Sequence, residues 1–117
     1  MENKKVEVDV SSAYRLLHPQ LTVLVTCVDS AGNANIITLA WAMPVSGSPP
    51  LLVVSIAPKR HSYKLIVETK EFVVNIPTMD IVKGTLFCGR RSGRKYDKFK
   101  ETGFTPLPAK MVRAPII

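Results

Sequence analysis

Two short apolar runs separated by turn-forming residues constrain the fold more than any other feature of this sequence. The run LTVLVTCV covers residues 21–28, IITLAWA covers residues 36–42, and DSAGNAN lies between them. Short runs rich in β-branched residues are typical of strands, and Gly32 and Asn33 tolerate the positive φ angles of a tight turn. The pattern therefore predicts a β-hairpin whose first strand carries apolar residues on both faces.

Two later runs predict further strands. LLVVSIA, residues 51–57, is apolar enough to form a strand buried on both faces, and EFVVNIP, residues 71–77, forms a strand that Pro77 ends. The segment MPVSGSPP, residues 43–50, is expected to be a loop because three prolines interrupt it. The sequence thus predicts four strands.

Helices are expected between and after these strands. HSYKLIVETK, residues 61–70, fits a helix on which Tyr63, Ile66 and Val67 share one side. TMDIVKGTLFC, residues 78–88, fits a short helix capped by its first residue. One or two helical turns are expected within residues 11–19 and one within residues 89–104, and the proline-spaced tail, residues 105–117, is expected to be extended.

Short strands, hairpin turns and few helices predict a mainly β protein, built as a small antiparallel barrel. The length of 117 residues is that of one domain, residues 1–117. Four strands do not close a barrel, so further strands are missing or a partner chain supplies them. The longest apolar run is too short to span a bilayer, and no leader opens the chain, so no membrane partner and a cytoplasmic location are expected.

The two cysteines, Cys27 and Cys88, stand in no metal-binding spacing, and no metal site is expected. Cys27 lies within a strand pattern and is expected to be a small buried hydrophobe. Cys88 precedes a basic segment and is either buried or a reactive thiol. No catalytic triad is visible, so no residue is assigned a catalytic role.

Positive charge is concentrated in the second half of the chain. The formal net charge is +7; residues 1–58 carry three Lys/Arg and four Asp/Glu, whereas residues 59–117 carry thirteen and five. One-sided charge of this kind indicates an anionic partner. A nucleic acid, a phosphorylated cofactor and simple solubility are all compatible with it.

One basic cluster follows the third predicted strand. Lys59, Arg60, His61 and Ser62 stand at the start of a predicted helix, where free N–H groups and the helix dipole favour a phosphate. A guanidinium adds a bidentate grip on phosphate oxygens. The alternative is a solvated corner in which Ser62 only caps the helix.

A second basic segment, GRRSGRKYDKFK, covers residues 89–100 and interleaves cations with Tyr96 and Phe99. It is a solvated loop, a cofactor-binding loop or a segment that holds single-stranded nucleic acid. The hairpin offers rigid strand edges for a planar heterocycle, and Trp41 is either packed in an interface or a wall for a ring system.

Several segments in order resemble the flavin reductase-like, FMN-binding split-barrel family, in particular its flavoredoxin-type branch. They are VLVTCVDSAGNANIITLAW, SPPLLVVSIAPKRHSYKLI, EFVVNIP, CGRRSGRKYDKF, TGFTPLP and APII. The resemblance implies an antiparallel split barrel with Greek-key features, a homodimer, and FMN in a groove near the dimer interface. In the family the chain continues past the segment matching APII, so this sequence is expected to be an N-terminal portion that lacks the C-terminal strands.

The resemblance also implies a set of cofactor-binding residues. Ser55, Arg60 and Ser62 are expected at the flavin phosphate, with Lys59 and His61 beside them, and the segment from Asn35 to Trp41 is expected along the isoalloxazine. Asn75 and the loop SGRKYDKF, residues 92–99, are expected to approach the cofactor from other sides. The full set is Asn35, Thr38, Leu39, Ala40, Trp41, Ser55, Ile56, Arg60, His61, Ser62, Asn75, Ser92 and Lys98.

The implied activity is hydride transfer from NAD(P)H, a transient co-substrate, to flavin, with the reduced flavin serving a partner oxygenase or another acceptor. The first alternative is an FMN-binding electron carrier without nicotinamide chemistry. A small basic barrel that binds nucleic acid is the second, and an aromatic content of 7% disfavours it because stacking platforms need aromatic side chains.

Overall fold

The computed structural model describes residues 3–117 and contains five strands and three α helices within that range. The strands are β1 (Val23–Val28), β2 (Ala34–Leu39), β3 (Ala42–Ser46), β4 (Leu51–Val54) and β5 (Val73–Asn75). The helices are α1 (His61–Thr69), α2 (Val82–Arg90) and α3 (Lys98–Thr102), with 3₁₀ helices at Ala13–Leu17 and Met79–Ile81. We call residues 91–97, between α2 and α3, the basic loop. The prediction of a mainly β chain with short helices is confirmed.

The predicted hairpin is present. β1 and β2 pair antiparallel from Val23 opposite Leu39 to Val28 opposite Ala34. The carboxylate of Asp29 accepts hydrogen bonds from the backbone and side-chain N–H groups of Asn33, which closes the turn. β5 pairs antiparallel with the other side of β1, so the sheet order is β2-β1-β5. All of β1 is buried because it lies at the centre of this sheet.

The prediction of a loop at residues 43–50 was wrong for residues 43–46 and holds for the turn at residues 47–50. β3 begins at Ala42, and the predicted strand of residues 36–42 is divided between β2 and β3. β3 pairs with β4 as a separate two-stranded sheet, and the register shifts between Pro44 and Ser46. A proline is compatible with a strand at such an irregularity, because the ladder there needs no N–H donor. Residues 3–117 therefore form five strands instead of the predicted four.

The burial predicted for the third strand was also wrong. Leu51, Leu52 and Val53 of β4 are each about half exposed, at 53%, 48% and 46%. Within the described residues the only sheet partner of β4 is β3, whose Met43 and Val45 are exposed as well. The β3–β4 hairpin therefore presents apolar side chains to solvent.

Helix α1 packs against the sheet through a different face from the one predicted. Ser62 and Leu65 are its buried residues, whereas Tyr63 and Val67 are exposed. The helix begins at His61. Ser62 and Leu65 are three residues apart, so they lie on the same side of the helix and face β1. Of the predicted face, Ile66 alone contacts the core.

Helix α2 begins later than predicted. A 3₁₀ turn precedes it, and the Thr78 hydroxyl donates to the Asp80 carboxylate instead of capping the helix.

No described helix has both the length and the apolar character needed to cross a membrane.

The core has two halves on opposite faces of the β1–β2 hairpin. Val23, Val25 and Ile37 form one cluster, and Leu24, Ile36 and Cys88 form the other. The division follows from the two-residue alternation of side chains along a strand. Because α2 and α3 supply the cover of the second cluster, they are fixed against β2.

The C-terminal tail bends back over the sheet instead of remaining extended. Leu107 and Ile116 exchange backbone hydrogen bonds, at 2.8 and 2.9 Å. Glu71 accepts from the backbone N–H groups of Arg113 and Ala114, at 2.8 and 3.0 Å. The Pro115 carbonyl accepts from the Thr26 hydroxyl of β1, and the Ile117 N–H donates to Asn75 of β5, so the tail is held against both strands.

We predict that Gly84→Ala lowers the free energy of unfolding. A Cβ at Gly84 would lie under 3.0 Å from the Phe104 ring, which packs on the core cluster of Leu24. Overpacking costs roughly 1–3 kcal/mol, which exceeds the gain of about 1 kcal/mol in helix propensity. Urea denaturation measures the change.

The matched control is Gly47→Ala, because a Cβ there meets nothing within 4 Å. Its unfolding midpoint should match that of the wild type. A Gly84→Ala variant as stable as the wild type would contradict the packing described for Phe104.

Candidate functional site

A groove of about 850 Å³ lies where the end of β2, the β4–α1 turn, the end of α2 and the basic loop meet. That volume is typical of small-molecule sites. All the residues predicted to bind a cofactor line the groove except Asn75; they are Asn35, Thr38, Leu39, Ala40, Trp41, Ser55, Ile56, Arg60, His61, Ser62, Ser92 and Lys98.

Asn75 lies elsewhere. Its amide donates to the carbonyl of Leu24 at 3.0 Å, and its Oδ1 accepts from the backbone N–H of Ile117 at 3.1 Å. Asn75 therefore ties β5 and the tail to β1, and the structure does not bring it to the groove.

The β4–α1 turn places two polar side chains at one end of the groove. Ser55 is held there because its N–H donates to the Trp41 carbonyl at 2.9 Å. Arg60 precedes α1 as its N-cap residue, with its own N–H bonded to the Ala57 carbonyl at 2.9 Å. Both side chains are exposed, so an anion can reach them from solvent together with the first turn of α1.

Ser62 plays a different part from the predicted helix cap. Its side chain is 1% exposed, and its Oγ accepts a hydrogen bond of 2.8 Å from the Asn35 amide. The cap position belongs to Arg60, and no side chain caps α1. The Ser62 hydroxyl therefore joins α1 to β2.

The basic loop is docked against the same asparagine. A Cβ at Gly93 would lie under 3.0 Å from three side-chain atoms of Asn35, so only glycine allows this approach. Arg94 donates from Nη1 to the carbonyl of Lys59 at 3.0 Å, which links the loop to the β4–α1 turn. The Ser92 hydroxyl accepts from the Arg94 N–H at 3.2 Å and fixes the turn of the loop.

Lys98 is a buried cation at the base of the groove. It is 4% exposed, and its Nζ donates to the carbonyls of Ile36 and Cys88, both at 2.7 Å. Asp97 caps α3 by accepting from the Lys100 N–H, which sets Lys98 as the first helical residue. An ammonium has three N–H donors, so one remains for a ligand.

Burial lowers the pKa of Lys98, and the charge of Arg60 lowers it further. The pKa of His61 is lowered as well. Burial is the largest cause, and the charges of Arg94, Lys64 and Lys98 lower it further. Of the described residues that line the groove, six are Lys or Arg and none is Asp or Glu. An anion in the groove would therefore lie in a strongly positive potential.

The cysteines are not reactive thiols. Cys27 and Cys88 are free and buried, and desolvation is the main reason that the pKa of each is raised. Both remain protonated, so the alternative of a reactive thiol at Cys88 was wrong, and the prediction of burial at Cys27 is confirmed.

Other residues also line the groove. Lys59 was expected beside the phosphate, and residues 89–94 belong to the basic segment for which a cofactor-binding role was one alternative. Ile37, Ala57, Pro58 and Cys88 line the groove without having been predicted there. The basic character of residues 59–60 and 90–94 was a usable signal, whereas the close approach of Gly93 to Asn35 has no sequence signature beyond a turn.

Comparison with known proteins shows similarity over most of the chain. A model of the flavin reductase like domain matches residues 14–117. An uncharacterized protein of Pyrococcus abyssi is 36% identical over 105 residues, which cover 89% of this chain and 59% of that protein. One of Archaeoglobus fulgidus is 35% identical over 109 residues, covering 93% and 60%. The chain thus spans less than two thirds of the length of these relatives.

Solved structures show similarity to the same family. Flavoredoxin of Desulfovibrio vulgaris (Miyazaki F) superposes with a TM-score of 0.80 at 34% identity, covering 84% of this chain and 54% of that one. An FMN-binding domain of a flavin reductases-like enzyme from Shewanella baltica gives 0.76 at 28%, covering 92% and 56%. At 21% identity, a split barrel domain from Shewanella frigidimarina (0.77) and nitrilotriacetate monooxygenase component B from Bacillus cereus (0.78) share the fold alone. The predicted split-barrel fold is confirmed.

We predict that the destabilisation caused by Gly93→Ala depends on Asn35. In the wild-type background the added Cβ should cost roughly 1–3 kcal/mol of folding stability, because it overlaps the asparagine. In an Asn35→Ala background most of this cost should disappear, since the overlapping atoms are gone. Chemical denaturation of the two single variants and the double variant measures the coupling; additive effects would contradict the contact.

Proposed function

The chain belongs to the flavin reductase-like family, and we propose that its groove binds FMN, with the phosphate at the β4–α1 turn and the isoalloxazine along the end of β2. The main observation in support of this proposal is the composition of the groove. Lys and Arg side chains line it and no carboxylate does, and within the described residues it lies beside the unpaired edge of β2. That combination matches a ligand with a phosphate at one end and a planar heterocycle at the other.

Ser55 and Arg60 would hold the phosphate. Both are exposed at the mouth of the turn, and a guanidinium binds two phosphate oxygens at once. Lys59 adds a point charge beside them. Ser62 contributes by fixing α1 against Asn35, which keeps the first turn of the helix directed at the groove.

The edge of β2 would hold the ring system. β2 is the outer strand of its sheet within the described residues, so alternate backbone groups point away from β1. The bond from Lys98 Nζ to the Ile36 carbonyl shows that a carbonyl of this strand accepts from outside the sheet. Backbone groups of Thr38 and Ala40, two and four residues after Ile36, are therefore suited to the polar edge of a heterocycle.

FMN, when bound, supplies the hydride acceptor. The residues of the chain position it and set the potential around it. Lys98 contributes a fixed positive charge with one free N–H, which favours negative charge on a bound ligand. No proton-transfer residue is required of the protein for this role.

The full reaction we propose is hydride transfer from NAD(P)H to the flavin, with the reduced flavin passed to an oxygenase or another acceptor. No Gly-rich dinucleotide fingerprint occurs in the sequence, so the nicotinamide would bind transiently. The alternative is an electron carrier, supported by the flavoredoxin likeness.

A second copy of the chain is proposed to cover the β3–β4 hairpin. Its exposed apolar side chains and unpaired strand edges favour association, and apolar burial contributes roughly 25 cal/mol per Å². A symmetric dimer would bring the same patch of each chain together.

We predict that Arg60→Ala weakens FMN binding about 10- to 100-fold, because one charged hydrogen bond to an anion is lost. Riboflavin, which lacks the phosphate, should bind the variant about as well as the wild type. Fluorescence titration measures both ligands. Lys110→Ala, a cation outside the groove, is the control and should leave both affinities unchanged; equal losses for FMN and riboflavin in Arg60→Ala would refute the phosphate assignment.

The reductase and carrier alternatives separate by steady-state kinetics. We expect the FMN-loaded protein to oxidise NADH or NADPH with added flavin as acceptor. A protein that holds FMN stoichiometrically and yet oxidises neither nucleotide above the rate of free FMN is a carrier.

We expect a dimer in sedimentation equilibrium at low micromolar concentration. Leu52→Glu should give monomers because it places a carboxylate on the exposed hairpin, whereas Met79→Glu, at an exposed site far from it in sequence, should not. A compact wild-type monomer would overturn the proposed association.

A further inference from the structure

Trp41 is the only tryptophan of the sequence, and it stands at the joint between the two sheets. It follows the last residue of β2 by two positions and directly precedes β3. Its carbonyl accepts from the Ser55 N–H at 2.9 Å, which fixes its backbone, and the residue lines the groove while it remains 47% exposed. A half-exposed indole keeps freedom about its side-chain torsions unless another group packs against it.

Such a group lies outside the groove. The Tyr14 ring meets the Trp41 ring edge-on, with ring centres 5.6 Å apart and ring planes at 76°. This edge-to-face arrangement is a favourable one for two aromatic rings. Tyr14 does not itself line the groove, so its effect on a ligand there would pass through Trp41.

The segment that carries Tyr14 is not anchored by core packing. Tyr14 belongs to the 3₁₀ helix Ala13–Leu17, none of whose residues is buried. The turn before the helix is closed by Asp9, whose carboxylate accepts from the N–H and the hydroxyl of Ser11, both at 2.8 Å. The contact with Trp41 is therefore a specific pairing of two half-exposed rings and does not follow from burial of the helix.

We propose that Tyr14 is a positioning residue, which holds the Trp41 indole at the edge of the groove as a wall for the isoalloxazine ring system. The inference rests on the proposed flavin site. Without Tyr14 the indole would be free to change rotamer, and a bound flavin would have to immobilise it. Immobilising one side chain on binding lowers affinity about 2- to 10-fold.

The alternative is that Tyr14 only attaches the N-terminal segment to the rest of the chain. In that case its loss would change the stability of the protein and leave the affinity for flavins unchanged. The two roles therefore differ in what a ligand titration measures.

The test is fluorescence titration of Tyr14→Leu and Tyr14→Phe with FMN and with riboflavin. Tyr14→Leu should weaken both ligands by the same factor, about 2- to 10-fold, because they share the ring system and the phosphate takes no part. Tyr14→Phe keeps the edge-to-face pair and should bind both like the wild type. Leu16→Ala is the matched control, since Leu16 is an exposed residue of the same 3₁₀ helix, and it should leave both affinities unchanged.

Tryptophan emission gives a second readout, which requires no flavin because Trp41 is its single source. In the FMN-free protein, Tyr14→Leu should lower the anisotropy of this emission, since the indole gains motion. Tyr14→Phe and Leu16→Ala should leave the anisotropy unchanged. Equal anisotropy in Tyr14→Leu and the wild type would contradict the positioning of the indole.

A double-variant cycle tests whether Tyr14 acts through Trp41. In a Trp41→Leu background, Tyr14→Leu should not weaken FMN further. Additive effects, an unchanged FMN affinity in Tyr14→Leu, or a loss for FMN without a loss for riboflavin would overturn the proposal. If the folded wild type bound neither flavin, the flavin site itself would be refuted and the positioning role with it, a result distinct from flavin binding that Tyr14→Leu leaves unaffected.

Discussion

The hydrogen bond between the amide of Asn35 and the hydroxyl of Ser62 is the contact on which the site depends. Asn35 belongs to β2, Ser62 to α1, and Gly93 of the basic loop closes over the same amide. Three segments distant in sequence therefore meet at one buried polar side chain. A buried amide of this kind is stabilising while it is paired and costs about 1–3 kcal/mol when its partner is lost, so the junction specifies one arrangement of the loop.

Around this junction the chain concentrates positive charge without compensating acids. Lys98 is buried with only backbone carbonyls as partners, an arrangement that costs several kcal/mol relative to solvent and lowers its pKa through desolvation. Arg60 and Arg94 raise the potential further. In the function proposed above, a bound phosphate would offset this unfavourable energy.

Much of this structure follows from local sequence pattern, and the remainder depends on contacts between distant residues. The hairpin and α1 were predictable because turn formers, apolar alternation and a helical register are local. β3 was not predicted because a proline usually ends a strand, whereas Pro44 lies where the register of the β3–β4 pair shifts. β4 was expected to be buried, but within the described residues nothing covers its apolar side chains. The residues that line the groove were predicted from the family resemblance. Asn75 was predicted to bind the cofactor as well, but its pairing with Leu24 in the sheet holds it away from the groove.

The central claim is that the contacts of Asn35, Gly93 and Lys98 form a flavin groove within this chain. Titration of FMN into the purified protein, followed by quenching of flavin fluorescence, tests it most directly. We predict saturable binding of one FMN for each chain. A protein folded by circular dichroism that leaves FMN fluorescence unchanged throughout the titration would contradict it.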